Sequence, residues 1–265
     1  MEKAPSVAWR FIASENVATS AEVCGTFLAP SAGFDETTLR SGPAGEKKYV
    51  HGAFTEEYSA FWLGTRSLDS MEDAGILPGF AGIVVSDRYQ NYFHPRWEHI
   101  AGNQACAAHI LRDYQDCAEA YLDAVWPVQA QRALRGLIHA WHAAREQGLD
   151  AIPADAREPL EHEFRHAVLA GLASVPRVPG PKNSTKQKPG RELLEFCRDR
   201  RSDVLLFTED TSIWPTNDLA SHCTSWGCCA VFGWVRWLAD VILACGGDIF
   251  GGPRAAGDAV GVAAA

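Results

Sequence analysis

Residues 32–37 read Ala-Gly-Phe-Asp-Glu-Thr, and residues 82–87 read Gly-Ile-Val-Val-Ser-Asp. Each stretch contains a short apolar run that predicts a buried strand. An acidic residue interrupts the first run at Asp35 and ends the second at Asp87. Carboxylate oxygens are the ligands that Mg²⁺ prefers, so two acids on core strands suit a site for hard divalent cations. The pattern favours metal-assisted phosphodiester chemistry.

The residues between these two strands predict a hairpin. Residues 48–54 and 58–63 are rich in aromatic and β-branched side chains, and a charged turn at 55–57 separates them. This composition is typical of paired strands. A short helix that stops at Gly75 then leads to the Asp87 strand. The order strand, hairpin, short helix and strand indicates an α/β domain.

Three separated motifs carry a resemblance to a known family. They are Phe-Asp-Glu-Thr at 34–37, Leu-Pro-Gly-Phe-Ala-Gly at 77–82 leading into Asp87, and Cys-Ala-Ala-His-Ile-Leu-Arg at 106–112. Together they resemble the central domain of the DDE transposases of the insertion sequence 66 family along most of residues 33–220. The resemblance implies a ribonuclease H-like mixed sheet flanked by helices, with an all-helical insertion. It also implies that the first and fourth strands lie side by side and bring Asp35 and Asp87 together.

The resemblance further implies the chemistry of the site. Asp35 and Asp87 would hold two Mg²⁺ or Mn²⁺ ions and act on DNA, both at transposon ends and at a target. In the family, a Glu within an Asn-Asn-x-Ala-Glu-Arg motif completes the metal-binding trio. Here residues 215–222 read Pro-Thr-Asn-Asp-Leu-Ala-Ser-His, so Ser221 stands where that Glu is expected. Asp218 is an imperfect substitute, because it lies three residues earlier on the expected helix.

The sequence after Ala220 changes character. Residues 222–265 contain no lysine or glutamate and are rich in Trp, Cys, Gly and Ala. Loss of the family pattern together with this change is what an out-of-frame translation would produce. We therefore hypothesise that the chain is a frameshifted or decayed transposase copy. An inactive, non-enzymatic DNA-binding remnant is the alternative.

Helical periodicity begins after the sheet. The spacing predicts a helix from Ile110 that Pro127 ends, a second that closes at Gly148, a third that starts near Pro159, and a last one over 191–207. The predicted segments are a partly helical N-terminal remnant at 1–33, a ribonuclease H-like core at 34–115, a helical insertion with a basic loop at 116–190, a late helix and the end of the core at 191–221, and a divergent tail at 222–265.

The net charge of -9 excludes a uniformly basic DNA-coating surface, so DNA contact requires a local patch. Between positions 177 and 201 there are eight basic residues against three acids. A solvated loop explains such a run as well as phosphate contact does. A packed histidine likewise explains His109 as well as a site-supporting role does. The candidate DNA-binding residues are His109, Arg112, Lys182, Lys186, Lys188 and Arg191. A homo-oligomer is an open possibility.

A second enzymatic interpretation comes from His162-Glu163-Phe164-Arg165-His166, which matches the His-Glu-x-x-His motif of zinc metallopeptidases. Helical spacing places both histidines opposite the apolar face, where they would point to solvent. This orientation argues against zinc. The eight cysteines show no zinc-ligand spacing and predict free thiols. No secretory pattern or membrane-spanning run is present, so we expect a cytoplasmic protein.

Overall fold

The computed structural model describes residues 11–12, 17–18, 29–41, 46–55, 59–180 and 188–217. Its main feature is a five-stranded mixed sheet in the order β3-β2-β1-β4-β5. The strands are β1 (Ser31–Ser41), β2 (Glu46–Phe54), β3 (Ser59–Gly64), β4 (Ile83–Ser86) and β5 (Gly102–Ala105). β1 pairs antiparallel with β2, and β2 pairs antiparallel with β3. The predicted hairpin is therefore confirmed, as is the neighbouring position of the first and fourth strands.

Seven α-helices lie within the described residues. They are α1 (Leu68–Asp73), α2 (Ile76–Gly79), α3 (Ala107–Ala120), α4 (Trp126–Glu146), α5 (Ala154–Ser174), α6 (Arg191–Asp199) and α7 (Arg201–Leu205). Short 3-10 helices occur at Gln90–Phe93, Pro95–Trp97 and Leu206–Thr208. This composition fits the α/β ribonuclease H-like class with a helical insertion.

The chain divides into two compact units. The first contains the described residues within Met1–Val84, Tyr89–Ala101 and Asn217–Ala265, and the second contains Val85–Arg88 and Gly102–Thr216. The five segments drawn from the sequence remain a prediction. Most of the 1–33 segment lies outside the described residues, which there include the paired two-residue strands Phe11–Ile12 and Val17–Ala18. The 222–265 tail lies outside them entirely.

The core of the first unit forms on one face of β1. Ala32 and Phe34 alternate inward and are fully buried. The Phe34 ring meets the Phe80 ring edge-on at 5.9 Å between centroids and the Tyr92 ring at 6.0 Å. Such aromatic pairs add to the stabilisation from apolar burial. The same alternation places Glu36 on this core face and Asp35 on the opposite one.

Two proline positions differ from the sequence prediction. Pro127 lies in the first turn of α4 instead of ending the preceding helix, and α3 already ends at Ala120. A proline is well tolerated there because its missing N–H would have had no helical partner. Leu122 and Val125, whose spacing would continue the apolar face of a helix running to Pro127, are instead 87% and 74% exposed.

The third insertion helix also starts earlier than predicted. α5 begins at Ala154 after the N-cap Pro153, and Pro159 lies inside it. Two backbone N–H groups, from Ala156 and Arg157, donate to the Pro153 carbonyl and form the first turn. The single late helix predicted over 191–207 is two helices in the structure, because helical geometry is interrupted at Arg200 between α6 and α7.

Candidate functional site

Asp35 lies in the middle of β1 and is partly buried. Its Oδ1 accepts a hydrogen bond from the Glu36 backbone N at 2.9 Å. Across the ladder, Asp35 pairs with Gly52, which places no side chain opposite the carboxylate. The Phe54 ring covers Gly52 closely, since a Cβ built on Gly52 would lie 2.5 Å from Phe54 Cζ. The Phe54 ring therefore takes the place of a side chain opposite Asp35 and gives the carboxylate an apolar neighbour.

Glu36 lies on the core face of β1, opposite Asp35, and its side chain holds the strand in place. Its side chain is 2% exposed, and the Arg66 Nε donates to Glu36 Oε1 at 2.5 Å. The Tyr92 hydroxyl donates to Glu36 Oε2 at 2.7 Å. The Arg66 guanidinium also lies 3.9 Å above the Tyr89 ring, a favourable cation–π distance. We call Glu36, Arg66, Tyr89 and Tyr92 the Glu36 clamp. Sequence reasoning assigned no role to Glu36 or Arg66.

His51 lies directly across the ladder from Glu36 and belongs to the same face. It is fully buried, and its ring stacks on Trp62 at 4.7 Å. Burial is the main cause that lowers the pKa of His51 to about 4, so the ring is neutral near pH 7. Its Nε2 lies 3.0 Å from the Thr65 carbonyl oxygen. A carbonyl only accepts, so Nε2 carries the proton.

Asp87 directly follows β4 and is also partly buried. The strand end is tied to α3, because the Cys106 N donates to the Ser86 carbonyl at 2.7 Å. The next residue, Arg88, donates from Nη2 to Asp113 Oδ2 at 2.5 Å. The Arg88 guanidinium also lies 5.7 Å from the Phe196 ring centroid. Contacts on both sides therefore fix the backbone at Asp87.

Asn217, in the late motif at 215–222, contacts β1. Asn217 is buried, and its Nδ2 donates to the Phe34 carbonyl at 2.9 Å, one residue from Asp35. Its backbone packs tightly on Gly33, where a built Cβ would lie 2.6 Å from the Asn217 carbonyl oxygen. Only glycine fits this approach. Asp218 and Ser221 lie outside the described residues.

We expect Gly33→Ala to lower the free energy of unfolding by about 1–3 kcal/mol, because the new methyl group would collide with backbone that cannot rotate away. Urea denaturation followed by circular dichroism measures the change. Gly79→Ala is the matched control, since a Cβ there meets no atom within 4 Å. An equal loss in both variants would contradict the close approach of Asn217.

The predicted DNA-binding residues lie in different surroundings. His109 of α3 is partly buried, and its Nδ1 has no hydrogen-bond partner within the described ranges. Arg112 and Lys188 are exposed, while Lys182 and Lys186 fall outside the described residues. Arg191 donates to Glu195 at 2.9 Å and to the carbonyls of Leu172 and Val175 at 3.0 and 2.8 Å. Its guanidinium is engaged at the end of α5.

The His-Glu-x-x-His motif lies on the exposed surface of α5. His162 and His166 have ring centroids 4.2 Å apart, and Glu163 pairs with Arg132 of α4. The described residues contain no group of three or more His, Cys, Asp or Glu that could hold a metal ion. A zinc peptidase needs three protein ligands, so this surface offers no support for one.

A five-stranded mixed sheet in the order β3-β2-β1-β4-β5, followed by helices, is consistent with a ribonuclease H-like α/β fold. The chain belongs to the IS66 family of transposases: the family model described as "Transposase IS66 family" matches residues 27–221. No curated protein and no solved structure gives a significant match. The family resemblance of the sequence motifs is thereby confirmed.

No helix in the described part of the chain is long and apolar enough to cross a membrane. The three cysteines that the structure describes, Cys106, Cys117 and Cys197, are free thiols. Burial raises the pKa of Cys117 to about 11 and that of Cys197 to about 12, so neither is a reactive thiolate near neutral pH. These buried cysteines therefore have a packing role in the second unit.

Proposed function

We propose that this chain carries the catalytic domain of a DDE transposase and that Asp35 and Asp87 are its metal ligands. The proposal rests on the strand order of this member of the IS66 family. β1, which contains Asp35, neighbours β4, and Asp87 directly follows β4. The donor chemistry fits, because two carboxylates supply the oxygen ligands that Mg²⁺ and Mn²⁺ require. When bound, two such ions stabilise the attacking and leaving oxygens of an in-line displacement at phosphorus.

The reaction supported by this site has two displacements. In the first, the oxygen of water attacks a DNA phosphorus, a P–O bond breaks, and a free 3′-hydroxyl leaves. In the second, that 3′-hydroxyl oxygen loses its proton and attacks a phosphorus of the target strand, the P–O bond to the target's own 3′-oxygen breaks, and that oxygen leaves as a new 3′-hydroxyl. The described residues position the two acids. The Glu36 clamp holds β1, which contains Asp35, and the Arg88–Asp113 pair holds the backbone next to Asp87. The substrate would be DNA in a cytoplasmic setting.

We further propose that this copy is defective. Ser221 replaces the Glu expected in the late motif, so one anionic ligand is lost and the second ion binds poorly. Asp218 is the nearest acid that could substitute. Translation of the coding DNA in all three frames from the codon of Asn217 onward tests the origin of this change. A shifted frame that restores Glu and Arg after Ala220 supports a frameshift, and its absence in every frame contradicts it.

The metal site can be tested whether or not the chain is active. We expect bound Mn²⁺ to be detected by electron paramagnetic resonance titration of the purified chain. Asp35→Ala and Asp87→Ala should each weaken Mn²⁺ binding at least about tenfold, since each removes a direct ligand. Asp150→Asn changes an exposed acid of the second unit and should leave binding unchanged. Equal Mn²⁺ affinity in all four proteins would refute the metal assignment.

A further inference from the structure

The outward surface of α4 stands out in an acidic protein. The chain has a net charge of -9, yet residues 124–145 contain no Asp or Glu, and the one acid of α4 is its last residue, Glu146. Arg132, Arg135 and His139 all lie on the exposed side of α4. At 100° per residue, these three positions fall within about 60° of one another on the helix surface. We call these three residues the α4 ridge.

The ridge is built on a rigid support. The opposite face of α4 buries Trp126, Leu134, Leu137 and Trp141 almost completely. The helix also lies close to α5, because a Cβ built on Gly136 would approach Leu160 Cδ2 to 2.9 Å. A helix packed in this way projects its outer side chains from fixed positions.

The ridge carries one ion-paired guanidinium, on Arg132, and one unpaired guanidinium, on Arg135. Arg132 pairs with Glu163 but its side chain remains 72% exposed. Arg135 and His139 are exposed, and neither side chain makes an ion pair or hydrogen bond with another described residue. The unpaired guanidinium of Arg135 attracts a polyanion more strongly than an ion-paired one does.

We propose that the α4 ridge binds the phosphate backbone of duplex DNA. The inference rests on the proposed function for the identity of the polyanion, and it assigns the contact to a surface that the sequence motifs did not indicate. His139 lies seven residues after Arg132, which is about 10.5 Å at the helical rise of 1.5 Å. One strand of B-DNA carries a charge about every 3.4 Å along the axis, so the ridge covers about three phosphates. A straight, rigid row of donors suits a stiff duplex, and such contacts carry no base specificity.

Fluorescence anisotropy with a labelled DNA duplex in EDTA tests the ridge without any metal-dependent step. Arg135→Glu should weaken binding about fivefold or more at 100 mM salt, equally for unrelated sequences. The slope of log affinity against log salt should become shallower by about one unit for each phosphate that the variant no longer neutralises. Arg198→Glu is the matched control, because Arg198 is an exposed arginine of α6 that is paired with Asp199. Circular dichroism melting checks that both variants fold.

Three outcomes with the variants would overturn the proposal for the ridge. They are wild-type affinity in Arg135→Glu, an equal loss in Arg198→Glu, and a loss confined to duplex RNA. A wild-type chain that binds no duplex at 50 mM salt would overturn it as well. Failure of the proposed function is distinguishable, since the Mn²⁺ titration of Asp35→Ala and Asp87→Ala reads the metal site alone. A ridge effect that persists while Mn²⁺ binding is unaffected by those variants would separate DNA binding from catalysis.

Discussion

Arg66→Met should lower the free energy of unfolding by about 3–5 kcal/mol. The substitution leaves the Glu36 carboxylate in the core, where it is 2% exposed and keeps only the Tyr92 hydroxyl among the two clamp donors. Removing one partner of a buried ion pair is strongly destabilising because the other charge stays desolvated. The variant also loses the stacking of the guanidinium on Tyr89. Urea denaturation followed by tryptophan fluorescence measures the change.

Two further variants isolate the cause. Glu36→Gln combined with Arg66→Met removes both charges and should recover a large part of the lost stability. Arg96→Met is the matched surface control, because Arg96 pairs with Asp69 and Glu72, whose side chains are 84% and 54% exposed. Exposed pairs contribute up to about 1 kcal/mol. If Arg66→Met costs no more than Arg96→Met, the clamp does not anchor β1.

The clamp connects stability to the candidate chemistry. Successive side chains of a strand point to opposite faces, so whatever fixes Glu36 on one face also fixes the direction of Asp35 on the other. The Asn217 amide adds a second constraint one residue before Asp35. Two consecutive acids therefore have different roles. Glu36 fixes the position of β1, and Asp35 points to the other face, where the proposed metal ions would bind.

The sequence predicted the parts of the fold that depend on local patterns. The apolar runs before Asp35 and Asp87 predicted β1 and β4, and the aromatic and β-branched residues at 48–54 and 58–63 predicted the hairpin. The prolines did not locate the helix ends. Pro127 lies in the first turn of α4 and Pro159 lies inside α5, and the residue type alone does not distinguish these positions from a helix end or a helix start. The predicted helix limits at both prolines were accordingly wrong.

The contacts that organise the candidate site could not be predicted, because they join distant residues. Arg66 reaches Glu36 across 30 positions, and Asn217 reaches Phe34 across 183. No periodicity in the chain signals such pairs. One signal was present in retrospect: an acid next to Asp35 must face the core by strand alternation, and a buried carboxylate requires a cation nearby. That argument would have suggested a search for an arginine.

The second large expected effect is a gain of activity. Ser221→Glu should raise Mg²⁺-dependent cleavage of DNA carrying transposon ends at least about a hundredfold over the unaltered chain. A metal ion contributes several kcal/mol to the stabilisation of a transition state at phosphorus, and about 1.36 kcal/mol corresponds to a factor of ten in rate. Restoring the anionic ligand that the late motif lacks would restore binding of the second ion. Gel electrophoresis of end-labelled DNA measures the cleavage.

Control variants separate this gain from other changes of charge. Ser221→Gln has nearly the same size as Ser221→Glu without the negative charge, so it should remain as inactive as the unaltered chain. Asp87→Ala in the Ser221→Glu background should abolish the restored cleavage, whereas Asp150→Asn should preserve it. If Ser221→Glu gives no cleavage although Mn²⁺ binding through Asp35 and Asp87 is intact, then Ser221 is not the missing ligand position. Cleavage by the unaltered chain that disappears in Asp218→Asn would instead identify Asp218 as the third carboxylate.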